Sequence, residues 1–110
     1  MGLSAEEQRT YAVPRAQAFD RIVQALQQMP KMRVGSTDPA TGHIEGGTKV
    51  SWKSWGEKIL IDVTEPSPGQ TSVTVRSQLK AQLVDWGANK QNLGKVFEAV
   101  EQALGTTAQA

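Results

Sequence analysis

Two stretches with helical apolar spacing bracket a run of segments that alternate apolar and polar residues, and that order of periods limits the folds open to the chain. Phe19, Ile22, Val23, Leu26 and Met29 recur at three-to-four spacing, as do Leu93, Val96, Phe97, Val100 and Leu104. Each set makes one stripe that must be buried. Pro14 suits the first position of the earlier helix, expected over Pro14 to Gln28, and Pro30 stops it because the residue before a proline resists the α region. The later helix is expected from Asn89 to Leu104, with Gly105 as a left-handed terminator.

Ahead of the first helix, Thr10, Tyr11 and Val13 favour extended backbone, which predicts a strand near Gln8 to Val13. Four more strands are expected between the helices. Met32 and Val34 share a face before the turn Asp38-Pro-Ala-Thr-Gly42. Ile44, Gly46, Thr48, Val50 and Trp52 have one parity and face inward, while His43, Glu45, Lys49, Ser51 and Lys53 face out. Gly46-Gly47 predicts a bend or bulge. Lys58 to Thr64 carries Ile59, Ile61 and Val63 inward; after the turn Pro66-Ser-Pro-Gly69, the strand from Thr71 to Lys80 carries Val73 and Val75 inward and Thr74, Arg76 and Gln78 outward. This order predicts an α+β fold: a five-stranded antiparallel sheet (β-α-β-β-β-β-α, spatial order 2-3-4-5-1) with both helices on one face. One domain is expected over residues 8–105, between a flexible segment 1–7 and a flexible tail 106–110.

A 38% hydrophobic and 21% charged composition is that of a folded domain, and a formal charge of +1 gives no global attraction to nucleic acid or anionic lipid. The absence of cysteine removes disulfides, thiol nucleophiles and thiolate metal sites. No apolar run has the length of a bilayer span, and Met1 to Gln8 lacks the basic and apolar regions of a secretory leader, so a cytoplasmic protein without membrane contact is expected. His43 is the one histidine and lies on the outer parity beside Glu45, which reads as a solvated side chain. A serine triad or a zinc site would depend on it, and neither pattern accompanies it. The glycines have no phosphate-loop spacing, so no cofactor is expected, and no catalytic constellation is present.

The densest polar punctuation lies between Ser77 and Asn92. Asp85 and Asn89 can cap the last helix, Trp86 can plug the end of the core, and the helix N-terminus with Arg76, Lys80, Asn89, Lys90 and Asn92 forms a candidate anion or partner site. Lys49, Lys53, Trp55 and Lys58 mark a candidate exposed face, basic but too poor in aromatic residues for a row of stacked bases.

Ser54-Trp-Gly56 and Asp85-Trp-Gly-Ala-Asn-Lys-Gln-Asn92 together resemble a family of small uncharacterised bacterial domains, over roughly residues 9 to 104. The resemblance brings no activity or catalytic residues with it. The expected strand order is similar to that of single-repeat folds resembling the TATA-binding protein; the alternative is a helix-grip fold of the birch-pollen-allergen type, which normally has more strands. The expected function is a non-enzymatic binding or interaction module with a protein or small-ligand partner. The alternatives are a weak nucleic-acid-binding module using the open sheet face, or a small-ligand carrier.

Overall fold

The computed structural model describes residues 4–29, 32–48, 57–79 and 88–109, with the side chains at 4, 5, 48, 57, 79 and 88–92 left aside. The elements are β1 (Ser4–Tyr11), α1 (Arg15–Gln28), β2 (Met32–Asp38), β3 (His43–Thr48), β4 (Glu57–Ser67), β5 (Gln70–Leu79) and α2 (Ala88–Leu104). The strands form one five-stranded sheet in the order β1-β5-β4-β3-β2, with every pairing antiparallel. This is the expected order.

The alternating pattern places its apolar residues as expected. Ile44, Ile59, Ile61, Val73 and Val75 are buried on one face, against Phe19, Ile22 and Leu26 of α1 and Phe97 and Val100 of α2, in a single cluster. Removing each such side chain from water contributes about 1.5–3 kcal/mol. Tyr11, Val13, Ala18, Met32, Val63, Leu93, Val96 and Leu104 complete the core. Helix α2 packs on α1, β5 and β1, and α1 packs on β2 and β4.

Four details differ from the sequence expectations. Strand β1 begins at Ser4, ahead of Gln8, because the ten-residue β5 offers a partner as far as Gln78, opposite Ser4. The register shift lies in β2, between Val34 and Ser36, and not at Gly46-Gly47 of β3. Gly46 serves a close approach: a Cβ there would meet the Arg33 carbonyl oxygen at 2.6 Å. Strand β4 runs through Pro66 to Ser67, past a second register shift, and the turn is confined to Pro68 and Gly69, the latter at φ 78°. Past Gly105 (φ 70°) the C-terminal residues fold back: Ala108 packs on the core and Gln109 N donates to the Thr10 carbonyl at 2.7 Å.

Helix α1 has no side-chain cap of its own at Pro14; Glu65 of β4 accepts the Arg15 backbone N–H at 2.8 Å instead. The Arg15 guanidinium then donates to the carbonyls of Val63 at 3.0 Å, Pro39 at 3.1 Å and Ala40 at 3.2 Å. Gly42 (φ 80°) lies beneath it, where a Cβ would sit 2.0 Å from the Val63 carbonyl oxygen. One end of the helix–sheet sandwich is therefore tied shut by bonds between side chains and backbone, centred on Arg15.

Candidate functional site

The opposite end of the sandwich is built differently. Register aligns Val34, Gly46, Ile59 and Ser77 in one row across the helix-facing side of the sheet, and Ile44, Ile61 and Val75 in the next. The inner row is filled by branched side chains, whereas in the outer row the buried Ser77 adds little bulk beside Ile59 and the Arg33 carbonyl oxygen stands where a Cβ of Gly46 would be. The bulge at Gly35 bends the sheet edge beside this row, since an extra residue in one strand sharpens the local twist. Chain connections 49–56 and 80–87 leave from this end and lie outside the described residues. The row Val34, Gly46, Ile59 and Ser77 is apolar but for one hydroxyl and carries no charge, and Ile59 and Ser77 are buried in it.

The other face of the sheet is charged with alternating sign. Arg76 donates to Glu6 from Nε at 3.0 Å and from Nη2 at 2.7 Å, and Lys58 lies 3.5 Å from Glu45. His43 lies on the outer face as expected and is partly exposed, its Nδ1 2.7 Å from Asp62 of β4 and its Nε2 3.2 Å from Glu45 of its own strand. The Asp62 bond holds the imidazole above its usual pKa of 6.5; slight burial opposes this and Glu45 adds to it.

The sequence-derived site residues are dispersed by this arrangement. Arg76 points to the face opposite α2 and is engaged by Glu6, so it does not meet the helix N-terminus. Asn89, Lys90 and Asn92 lie in the first turns of α2, with their side chains outside the description. Lys80, Asp85 and Trp86, and likewise Lys49, Lys53 and Trp55, lie outside the described residues; Lys58 is exposed. Among the described residues no three His, Cys, Asp or Glu side chains group as a metal site requires, and no helix is long and apolar enough to cross a membrane.

A polar seam that sequence reasoning missed joins β1 to α2. Arg9 stacks its guanidinium 4.5 Å from the Phe97 ring centroid, donates to Glu101 at 2.8 Å and also pairs with Glu7. Tyr11, fully buried, donates to the same Glu101 carboxylate at 3.0 Å. Burial, and then the bond to Glu101, pushes the Tyr11 pKa up. Inward parity of Glu7, Arg9 and Tyr11 was the available signal, but charged residues there contradict the apolar pattern that identifies a core face. On the solvent side of the helix layer, Arg21, Gln24, Met29, Ala99, Gln102 and Ala103 line a groove of about 540 Å³ between α1 and α2.

No family model matches the chain, and no curated protein matches it in sequence. Solved structures do share its fold. The di-domain aromatase/cyclase (ARO/CYC) BexL from the BE-7585A biosynthetic pathway superposes with a TM-score of 0.74 at 13% identity, covering 94% of this chain and 46% of that one. Ara h 8.0201 gives 0.69 at 16% identity, covering 96% and 100%, and a START superfamily protein from Mycobacterium smegmatis gives 0.60 at 14%, covering 92% and 93%. The chain thus spans about half the length of the di-domain protein. These structures fall with the helix-grip alternative; the strand order alone is common to it and to the expected resemblance to the TATA-binding protein, so that order does not separate the two.

Proposed function

We propose that this chain is a small-ligand-binding module that holds an uncharged, largely apolar molecule between the sheet and α2, entering at the end marked by Val34, Gly46, Ile59 and Ser77. The observation that carries this is the asymmetry of the sandwich. One end is closed by the Arg15 clamp, whereas among the described residues the row at the other end is apolar and uncharged, with the small Ser77 beside Ile59. Small-molecule sites are concave and mostly apolar, with few polar groups to orient the ligand, and this row has that composition. The shared fold with the aromatase/cyclase and START structures supports the same choice. The sequence-derived candidates Asn89, Lys90 and Asn92 belong to the opening turns of α2. The alternating charges around Arg76 and Lys58 disfavour the nucleic-acid alternative, because phosphate binding requires cations that are not already paired with carboxylates.

The test is a titration with three uncharged molecules, N-phenyl-1-naphthylamine, a long-chain fatty alcohol and a polycyclic aromatic phenol, followed by fluorescence and thermal melting. Saturable one-to-one binding with a rise in Tm is expected, weakened at least tenfold (about 1.4 kcal/mol) in Ser77→Leu while its circular dichroism stays native. Failure of all three molecules to bind, or undiminished binding in Ser77→Leu, would reject the site.

A further inference from the structure

Among the described strands β1 is an edge of the sheet, paired with β5 on one side. The Thr10 carbonyl accepts from Gln109 N, which belongs to the C-terminal segment, so Thr10 presents its backbone groups to the free side. Backbone groups alternate sides along a strand, which places Ser4, Glu6 and Gln8 on the free side with Thr10 and leaves residues 5, 7, 9 and 11 to bond β5. The opposite edge, β2, is interrupted by a bulge, whereas β1 pairs with β5 over all eight residues without a register shift. An uninterrupted edge of this length is a template for another strand.

Charge selects what that strand can be. Two copies of β1 related by a two-fold axis pair antiparallel about one central residue. Centring on Glu6 or Glu7 sets two carboxylates opposite each other, and centring on Arg9 sets two guanidinium groups opposite each other. Centring on Gln8 sets no like charges opposite and places Glu7 opposite the partner's Arg9, twice, on the helix side of the sheet, extending the Arg9 pairs with Glu7 and Glu101 of its own chain across the interface. Those two positions are then of the close, non-hydrogen-bonded kind, about 4.5 Å between Cα atoms, and the central glutamines exchange both backbone hydrogen bonds.

We propose that the free edge of β1 pairs with the same edge of a second copy of this chain in the register centred on Gln8, and that the C-terminal segment competes for it. The competition is at Thr10: the carbonyl that Gln109 now occupies is the one the paired state gives to the partner's Glu6. The docked segment shields the last position of the edge and weakens the pairing.

Sedimentation equilibrium of the full chain up to about 1 mM covers the affinity expected of so small an interface. A concentration-dependent shift from one chain to two is expected, several-fold stronger in Gln109→Pro, which removes the N–H that reaches Thr10. Gln8→Pro deletes a free-edge donor without touching a β5 bond and should abolish the dimer. Glu7→Arg sets arginine opposite arginine and should abolish it too, with circular dichroism reporting that each variant folds; should Gln8→Pro fail to fold, Glu7→Arg alone decides. A single-chain mass at every concentration in both the wild type and Gln109→Pro overturns the proposal, as does a dimer indifferent to Glu7→Arg.

Discussion

Tyr11 on the first strand donates its hydroxyl hydrogen to Glu101 on the last helix at 3.0 Å, ninety residues away in sequence. Tyr11→Phe keeps the ring and removes that donor, so a loss of about 1–2 kcal/mol in urea unfolding is expected, because the acceptor is ionised. The pH dependence has a definite sign. The folded pKa of Tyr11 is raised, so its contribution is fully present below the unfolded value of 10.0 and is lost as pH rises beyond it toward the folded value. Alkaline unfolding curves of the wild type should steepen above pH 10, and those of Tyr11→Phe should lack that component.

Ile61 is 1% exposed at the centre of the sheet, opposite Ile44 on one side and Val75 on the other. Ile61→Ala is expected to cost about 2–5 kcal/mol, measurable as a lower urea midpoint with an unchanged slope. Retention of the wild-type midpoint would mean that the inward row is not a packed core.

Two glycine-to-alanine substitutions should behave oppositely. At Gly42 the backbone is left-handed and a Cβ would meet the Val63 carbonyl at 2.0 Å, so Gly42→Ala should destabilise by more than about 2 kcal/mol. At Gly94, exposed in α2, a Cβ would meet nothing within 4 Å, and Gly94→Ala should stabilise by up to about 1 kcal/mol. Thermal melts of the pair distinguish the two environments in one experiment.

The His43 imidazole should titrate above 6.5 in an NMR experiment and fall toward that value in Asp62→Asn, which removes the principal cause of the shift. Because the folded pKa is raised, its stabilising effect is present below pH 6.5 and disappears as pH rises through the folded value. Partial exposure and solvent screening limit the effect to less than about 1 kcal/mol. Stability of His43→Gln relative to the wild type should therefore be lowest in mild acid.

Residues whose burial follows from period alone were legible in the sequence: Ile59, Ile61, Val73 and Val75 by alternation, and Phe19, Ile22, Phe97 and Val100 by helical spacing, all share one core. The start of β1 was not. Ser4 to Glu7 have no strand preference of their own and are extended because β5 supplies their partners, a purely long-range cause. The bulge was expected at a glycine pair and occurs one strand away at Gly35, since a close backbone approach and an extra residue use the same amino acid. Neither Arg9 nor Glu101 carried a local signal, because each is an unfavourable choice for a buried face until the other is opposite it. Of the candidate site, Arg76 could be assigned a face but not its partner: Glu6 lies on a stretch that did not read as a strand.

The Arg15 backbone N–H finds its acceptor in Glu65, fifty residues further along the chain. During synthesis from the N-terminus, the first turn of α1 therefore stands without that partner until β4 has emerged, and Ser4 waits longer still for Gln78. Within this stretch, the residues of β1 are among the last to find their sheet neighbours. The β2–β5 pairings are local and the β1–β5 pairing spans most of the chain, so in a pulsed hydrogen-exchange experiment the amides of β4 are expected to be protected ahead of those of β1.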